Sequence, residues 1–381
     1  MTDKQILETI ISQRIHDAGG MLPFNAFMQA ALYEPGLGYY ETKDIFGDHG
    51  DFVTAPDLGP WLELGLCDLL LWGWKALGCP TEWVLVEQGG GSGRLLVGVL
   101  NQLAKHNINM PSRIIEVEYS RHLQTQQKEL FTNSGFSIEH VSTLAEVGEL
   151  ENVLAFSNEL PDAFPVRCFR YKSGEFLERG VGYDGGFIWL DGALPLLDGP
   201  GISERVRNQF PDGYVSEWNP DLYSWQRDLA SVVGRGYTFC VDYGYAEQEY
   251  YRPNREEGTL LAHFQHQAVH TVLENPGQQD ITAHVDFTAL QRAGTACGLQ
   301  PLLWMPQGAW LAQSPLVQEK VQALAANPDA ESLKMMTQAR RMLLPFGMGE
   351  MFKVFVQASA GLNSTPPFLG QFNRLRDILS P

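Results

Sequence analysis

The spacing of apolar positions near the start of the chain predicts helices. Four isoleucines recur at the spacing of one helix face: Ile6, Ile10, Ile11 and Ile15. They predict an amphipathic helix over residues 1–20. A second short helix within 24–40 runs into a loop rich in glycine, proline and tyrosine, and an apolar helix over 58–78 ends at Gly78 and Pro80.

From residue 82 onward, apolar strands alternate with helical segments. The predicted strands cover residues 83–86, 113–119, 153–157, 237–243, 300–305 and 351–357. The predicted helices cover residues 94–106, 121–131, 286–297 and 314–343. Such alternation favours right-handed strand-helix-strand units in a parallel sheet, so the fold class is predicted to be α/β.

Residues 166–192 interrupt this alternation. Three short segments rich in aromatic residues, 166–171, 176–183 and 187–190, are separated by Ser-Gly and Asp-Gly-Gly turns. Closely spaced strands joined by such turns are typical of hairpins. We therefore expect an antiparallel insertion in the parallel sheet.

Composition narrows the class of protein. The 381 residues, 44% hydrophobic and 19% charged, fit one large domain with insertions, and no apolar run approaches the roughly 20 residues that cross a membrane. A formal charge of −18 disfavours nucleic acid and suits either a cationic protein segment or simply an acidic surface. The five scattered cysteines form no C-x-x-C pair, which indicates a reducing compartment, and the predicted location is cytoplasmic.

The clearest local motif follows the predicted strand at 83–86. Glu87, Gly89, Gly91 and Gly93 form an E-x-G-x-G-x-G pattern. A dinucleotide fingerprint needs a sixth-position glycine where this chain has Arg94, which weighs against NAD. An acid suits the ammonium and sulfonium of S-adenosylmethionine better than a pyrophosphate. A purely structural turn and an NAD oxidoreductase remain the alternatives.

The next predicted strand ends in a second acid. Glu118 lies at the end of that strand, at the position where dinucleotide folds place a carboxylate against ribose hydroxyls. The pattern therefore predicts that Glu118 binds the sugar of the cofactor, although a purely structural role is the alternative.

A series of motifs resembles the MidA-like family of methyltransferases, which includes a mitochondrial arginine methyltransferase. The matching stretches are 32–40, 50–56, 87–93, 118–120 with Gln127, 157–166, 241–244, 258–260, 276–277 with 280–287, and 348–353. The resemblance implies a Rossmann-like sheet of seven strands, the last one antiparallel, with S-adenosylmethionine at its carboxyl edge. It also implies that Ser120 and a loop containing Gly50, Asp51, Phe52 and Thr54 bind or cover the cofactor.

Pattern and resemblance together predict the organisation of the chain. The predicted parts are an N-terminal helical cap with the cofactor-covering loop over 1–80, a Rossmann-like methyltransferase domain over 81–165 and 230–381, an antiparallel β insertion and linker over 166–229, and a helical lid over 314–343.

Three polar residues follow the strand predicted at 153–157. Asn158, Glu159 and Asp162 should lie beyond the carboxyl end of the sheet, where ligands bind in open α/β folds. If the substrate is a guanidinium, Glu159 and Asp162 would hold it bidentately and leave one nitrogen nucleophilic. Alternatively, Asn158 and Asp162 shape a turn and cap the next helix.

Further polar residues are candidates for substrate contact: Asp242, Tyr243, His266, His284 and Asp286. Asp242 and Tyr243 end a core strand, and a capped strand end is the alternative. His263, His266 and His270 have the spacing of a helix face, but the surrounding glycines and prolines indicate a loop. We therefore predict no metal site.

These observations predict an S-adenosylmethionine-dependent methyltransferase acting on a protein, through an arginine side chain, with no nucleic-acid or membrane partner. Two alternatives remain open. One is a small-molecule methyltransferase with an enclosed apolar pocket. The other is a catalytically silent assembly factor that retains the fold.

Overall fold

The chain folds into two compact units. The computed structural model describes residues 1–42, 58–195, 199–264 and 267–379. The first unit takes its described residues from 1–45, 161–223 and 244–290, and the second takes them from 46–160, 224–243 and 291–381. Three elements, Leu222–Val232, Val233–Tyr245 and Phe287–Ala296, run across the boundaries between these segments.

A mostly parallel sheet forms the centre of the second unit. Its strands are β2 (Val84–Gln88), β3 (Arg113–Val117), β4 (Glu139–Val141), β5 (Leu150–Asn158), β10 (Val233–Tyr245), β15 (Gln300–Pro306) and β16 (Phe352–Ala358). In the described residues they follow the order β15-β16-β10-β5-β2-β3-β4. Strands β10, β5, β2, β3 and β4 are parallel to one another, and β16 is antiparallel to both β10 and β15. The α/β fold class is therefore confirmed.

Helices cover both faces of this sheet. They are α4 (Trp61–Ala76), α5 (Arg94–Leu103), α6 (Arg121–Ser134), α8 (Leu222–Val232), α10 (Phe287–Ala296), α11 (Gln307–Gln313), α12 (Pro315–Ala326), α13 (Ala330–Leu343), α14 (Met348–Met351) and α15 (Leu375–Ile378). Strand β2 is buried along its whole length, as expected for a parallel strand covered on both faces. Close approach of α4 to β5 requires Gly73, because a Cβ there would lie 2.8 Å from Leu154 Cδ2.

The first unit is built on antiparallel strands. Its helices are α1 (Asp3–Asp17), α2 (Phe24–Tyr33), α3 (Tyr39–Thr42), α7 (Glu204–Arg207) and α9 (Glu247–Tyr250). Its strands are β1 (Leu22–Pro23), β6 (Arg167–Lys172), β7 (Glu175–Tyr183), β8 (Phe187–Pro195), β9 (Val215–Trp218), β11 (Leu261–Phe264), β12 (Gln267–Val269), β13 (Asp280–Thr282) and β14 (Val285–Asp286). Strands β6, β7 and β8 pair antiparallel, so the antiparallel pairing expected for residues 166–192 is confirmed.

Two regions differ from the sequence interpretation. Residues around His263 and His270 form the β11-β12 hairpin and a third strand, β13, rather than a loop, because the short segments pair with one another. The residues of the predicted N-terminal cap are divided, with α1 to α3 in the first unit and α4 in the second. None of the described helices combines the length and the apolar character needed to cross a membrane.

Candidate active site

The glycine turn lies between β2 and α5, at the carboxyl end of a central strand. Gly89, Gly91 and Gly93 have φ values of 67°, 54° and 73°, a region that side chains other than glycine rarely adopt. The amide of Gly89 donates to the carbonyl oxygen of Val117 at 2.9 Å, which ties the turn to β3. A Cβ at Gly93 would lie 2.7 Å from the Phe131 ring. The turn therefore depends on glycine for its conformation and for its close packing.

Two buried carboxyl groups lie against this turn. Glu87 and Glu116 are neighbours in the parallel register of β2 and β3, and both are fully shielded from solvent. Oε1 of Glu116 accepts the amide of Gly90 at 2.8 Å. A Cβ at Gly90 would lie 2.6 Å from Glu116 Oε1 and 2.7 Å from Glu87 Oε2. Gly90 is therefore the position where a side chain would collide with the pair.

The two carboxyl groups share a proton. Burial raises the pKa of Glu87 from 4.5 to about 7, and a hydrogen bond from Glu116 limits the rise. Burial and the adjacent Glu87 raise the pKa of Glu116 well above its usual value. Two buried carboxylates this close disfavour each other's ionisation, so the pair as a unit retains a proton at a pH where an exposed glutamate would lose it.

Gln127 on α6 and His140 on β4 form a second support of the turn. The buried Gln127 donates from Nε2 to the carbonyl oxygen of Gly91 at 2.9 Å, and its Oε1 lies 3.0 Å from His140 Nε2. Because an amide oxygen only accepts, His140 Nε2 carries the hydrogen. Burial lowers the pKa of His140 and keeps the ring neutral. Glu116 and Gln127 thus hold the turn at the amide of Gly90 and the carbonyl oxygen of Gly91, on two adjacent residues.

Sequence reasoning did not assign a role to Glu116, Gly90 or His140. The available signal for Glu116 was one acidic residue inside an otherwise apolar strand, Arg-Ile-Ile-Glu-Val. A charged group in such a strand needs a buried partner. Its partner, however, is set by the register between β2 and β3, which periodicity along the chain does not reveal.

The acid after β3 is fixed by the start of helix α6. Oε1 of Glu118 accepts the amide of Ser120 at 2.9 Å, and the Ser120 hydroxyl caps the helix by accepting the amide of Leu123 at 3.2 Å. Both side chains are buried. Glu118 therefore lies at the end of the strand next to β2, the position predicted for ribose binding, which stays a prediction for both residues.

Asn158 is the last residue of β5, which pairs with β2 and β10, and Glu159 follows it. Glu159 has a φ of 50°, a left-handed conformation that is costly for a side chain with a Cβ. Its amide donates to the carbonyl oxygen of Val241 at 2.9 Å, and its Oε1 accepts from Asn158 Nδ2 at 3.2 Å. Oδ1 of Asn158 is buried, and no donor in the described part of the chain reaches it. Backbone strain and an unsatisfied acceptor thus coincide at this strand end.

Asp242 and Tyr243 lie at the end of the neighbouring strand β10. Asp242 is completely buried, and its Oδ1 accepts the amide of Tyr243 at 2.7 Å. The Tyr243 ring packs edge-on against Phe352 at 5.3 Å. Substrate contact by either residue stays a prediction.

Three other predicted residues belong to the first unit. The carbonyl oxygen of Asp162 accepts the amide of Ala283 at 3.1 Å. His284 stacks on Tyr245 at 5.2 Å, and its amide donates to Thr259 Oγ1 at 2.9 Å. Asp286 caps helix α10, because its Oδ1 accepts the amides of Thr288 and Ala289. These contacts are structural, and the catalytic role of Asp162 and the substrate roles of His284 and Asp286 stay predictions.

Five predicted residues lie outside the described part of the chain: Gly50, Asp51, Phe52, Thr54 and His266. His263 and His270 lie on or next to the β11-β12 hairpin. Across the described ranges, the structure assembles no group of three His, Cys, Asp or Glu side chains that is placed to hold a metal ion.

The second unit fits S-adenosylmethionine on three observations. The turn from Gly89 to Gly93 has few side chains and lies at the carboxyl end of β2. Glu118 directly follows the adjacent strand β3. Asn158 is the last residue of β5, and its buried Oδ1 is a hydrogen-bond acceptor. A sulfonium nucleoside needs close backbone approach, an acceptor for its sugar and acceptors for its amine. This fold and this site define an S-adenosylmethionine-dependent methyltransferase.

Comparison with known proteins gives the same class. The chain belongs to a family of S-adenosyl-L-methionine-dependent methyltransferases, whose model matches residues 66–305. It is similar to the crystal structure of a protein from Burkholderia thailandensis bound to S-adenosyl-homocysteine, with a TM-score of 0.87 and 28% identity, covering 98% of this chain and 97% of that one. The cofactor of this protein is therefore S-adenosylmethionine, and the predicted family and enzyme class are confirmed.

Relatives in animals carry more specific names. A mitochondrial homolog of protein arginine methyltransferase NDUFAF7 from Drosophila melanogaster is 25% identical, over 88% of this chain and 80% of the relative. Mitochondrial NDUFAF7 from Xenopus tropicalis is 26% identical, over 93% and 87% respectively. These mitochondrial relatives overturn the cytoplasmic location predicted from sequence. That prediction was wrong because cysteine content reports redox conditions, which are reducing in more than one compartment.

Proposed function

We propose that this protein transfers a methyl group from S-adenosylmethionine to the guanidinium of an arginine side chain in another protein. Two animal relatives are named protein arginine methyltransferases, which supports this choice of acceptor. The net charge of −18 favours encounter with a cationic protein segment. The observation that carries the proposal is the Glu159 carboxylate, held in a strained conformation at the end of β5.

Glu159 has the chemistry that a guanidinium acceptor requires. A carboxylate pairs with the planar nitrogen fork and concentrates the positive charge on the nitrogens it contacts, leaving the remaining nitrogen more nucleophilic. The bond from the Glu159 amide to Val241 and the bond from Asn158 to the Glu159 carboxylate hold this group in place. Strain of this kind persists where the surrounding structure supports it, as at functional sites.

When bound, S-adenosylmethionine supplies an already activated methyl group. A new bond joins the acceptor nitrogen to the methyl carbon, the carbon-sulfur bond breaks with its electron pair going to sulfur, and the nitrogen then gives up a proton. Glu159 is the group that holds the guanidinium in line and accepts this proton. The remaining contribution of the chain is to position the acceptor.

Replacing Glu159 by glutamine should leave cofactor binding intact and lower methyl transfer. The amide keeps the size of the side chain but cannot hold a guanidinium by charge or accept its proton, so we expect a loss of roughly 100-fold or more in kcat. Transfer of a labelled methyl group to an arginine-containing protein substrate measures the loss, and calorimetric titration with S-adenosylmethionine checks the cofactor site.

Glu151→Gln is the matched control, because Glu151 is an exposed glutamate on the same strand, β5. It should retain the activity of the unmodified protein. Unchanged methylation by Glu159→Gln would remove Glu159 from the mechanism. Tight cofactor binding without methylation of any arginine in a proteome treated with the enzyme would contradict the proposed acceptor.

A further inference from the structure

The first unit contains a cavity whose volume is about 820 Å³. This volume is within the range of small-molecule sites, roughly 300–1,000 Å³. All the residues that line it belong to the first unit, including side chains of β6, β7, β8 and β9 and the segment from Arg255 to Leu261. None of the residues that form the glycine turn lines it.

Three lining residues form a row across the antiparallel sheet. Arg179 on β7 is opposite Cys168 on β6, and Cys168 is in turn opposite Glu217 on β9. Residues directly opposite in antiparallel strands project from the same face, and each step across the sheet is about 5 Å. The row therefore places a guanidinium and a carboxylate on one face, with Cα atoms about 10 Å apart and only a small thiol between them.

Within the described ranges no carboxylate forms a salt bridge with the guanidinium of Arg179, although the charges of Asp191 and Glu257 are near enough to favour its charged form. It lies over the ring of Trp189, 4.8 Å from the ring centre. The carboxylate that faces it across β7 and β8, Asp191, is bound instead by Arg170, whose Nε donates to Asp191 Oδ2 at 2.7 Å. Arg170 thus forms a salt bridge, whereas Arg179 presents a half-buried positive charge to the cavity.

The carboxylate of Glu217 is held from one side. Its Oε1 accepts three hydrogen bonds, from the Thr259 amide at 2.8 Å, from Thr259 Oγ1 at 2.6 Å and from the Tyr250 hydroxyl at 2.8 Å. Its Oε2 lies above Gly258, where a Cβ would be only 2.0 Å away. Glu217 is almost completely buried, yet it lines the cavity. The three bonds orient the carboxylate and leave Oε2 on the opposite side.

Two further polar residues line the same cavity. The hydroxyl groups of Tyr214 and Ser216 are buried, and neither makes a hydrogen bond of ordinary geometry with another group in the part of the chain that the structure describes. The two side chains lie beside one another, and both hydroxyl oxygens are closed off from the cavity. Recognition of a ligand therefore rests on Arg179 and Glu217.

We propose that this cavity binds a small zwitterion whose carboxylate pairs with Arg179 and whose cationic group, separated from the carboxylate by a short chain, faces Glu217. A ligand with both charges can pair with Arg179 and Glu217 at once, whereas a ligand with only one charge can pair with only one of them. A basic amino acid has this chemistry, because its α-carboxylate and its side-chain cation are several bonds apart. This proposal does not depend on which group the protein methylates.

Binding of three probes to the full chain without S-adenosylmethionine tests the proposal. L-Arginine carries both charges, agmatine lacks the carboxylate, and L-citrulline lacks the side-chain cation. Calorimetric titration should show one site for L-arginine and roughly 10-fold or weaker binding of each of the other two. Because cofactor is absent, the result does not depend on whether the protein methylates arginine.

Two variants separate the contacts. Arg179→Gln should weaken L-arginine binding by roughly 10-fold or more and leave agmatine unchanged, and Glu217→Gln should weaken L-arginine and leave L-citrulline unchanged. Arg252→Gln is the control, since Arg252 is an exposed arginine of the same unit that does not line the cavity. If Glu217→Gln does not fold, Arg179→Gln and the probe series decide alone. No binding of L-arginine, or equal binding by Arg179→Gln, would overturn the proposal.

Discussion

Replacing Gly90 by alanine should weaken S-adenosylmethionine binding by at least about tenfold and lower the free energy of unfolding by about 1–3 kcal/mol. The new methyl group would lie 2.6 Å from Glu116 Oε1 and 2.7 Å from Glu87 Oε2, so either the turn or the carboxyl pair must move. The carboxyl pair is buried within the central sheet and cannot move without loss of packing. Calorimetric titration and urea denaturation measure the two effects.

Gly186→Ala provides the control for this substitution. No atom lies within 4 Å of a Cβ at Gly186, and its φ is outside the left-handed region, so binding and stability should be unchanged. Wild-type affinity in Gly90→Ala would show that the cofactor does not depend on the position of this turn. Loss of affinity in both variants would mean that the assay reports general damage.

Glu116→Ala should lower the free energy of unfolding by about 3 kcal/mol, whereas Glu116→Gln should stay within about 1 kcal/mol of the unmodified protein. Alanine leaves the amide of Gly90 without its acceptor and the buried Glu87 without the neighbouring carboxyl group with which it shares a proton. Glutamine replaces the protonated acid closely, because its oxygen accepts from Gly90 and its NH₂ group donates to Glu87. Urea denaturation of the three proteins measures the difference.

The same pair predicts how stability depends on pH. Both pKa values are raised in the folded state, so the unfolded chain releases these protons at lower pH than the native protein does. The stabilising contribution of both groups is complete below about pH 4.5. The contribution of Glu87 is lost as pH rises through about 7, and that of Glu116 is lost at higher pH. In Glu116→Gln one of the two groups no longer titrates, and the slope over this range should decrease. An unchanged slope would show that the two carboxyl groups do not share a proton.

The sequence predicted the long elements because their apolar patterns are long enough to repeat. Strands β2, β5 and β10 and helices α4 and α5 lie within a few residues of their predicted bounds. The strands that were missed, such as β1, β4 and β12, have only two or three residues and depend on a partner elsewhere in the chain. Long elements can therefore be predicted from the periodicity of apolar residues. Strands of two or three residues cannot, because they form only by pairing with another part of the chain.

The candidate site shows the same division. The glycine turn and the acids Glu87 and Glu118 were recognisable because the chemistry resides in a contiguous motif and in a strand end. The hydrogen-bonded supports, Glu116 and His140, come from other strands and meet the turn only through the register of the sheet. Glu116 accepts a hydrogen bond from the backbone of the turn, and His140 bonds to Gln127, which in turn bonds to the backbone of the turn. Such contacts leave no pattern in the sequence.

Strand β16 has a consequence for synthesis of the chain. It is inserted between β10 and β15 although it is translated after both, so its two neighbours cannot pair across it while the polypeptide is still being made. Until about residue 358 has left the ribosome, the edge of β10 stays unpaired along a strongly apolar surface. A nascent chain stalled or truncated before this point would need a chaperone to keep it from associating with other chains.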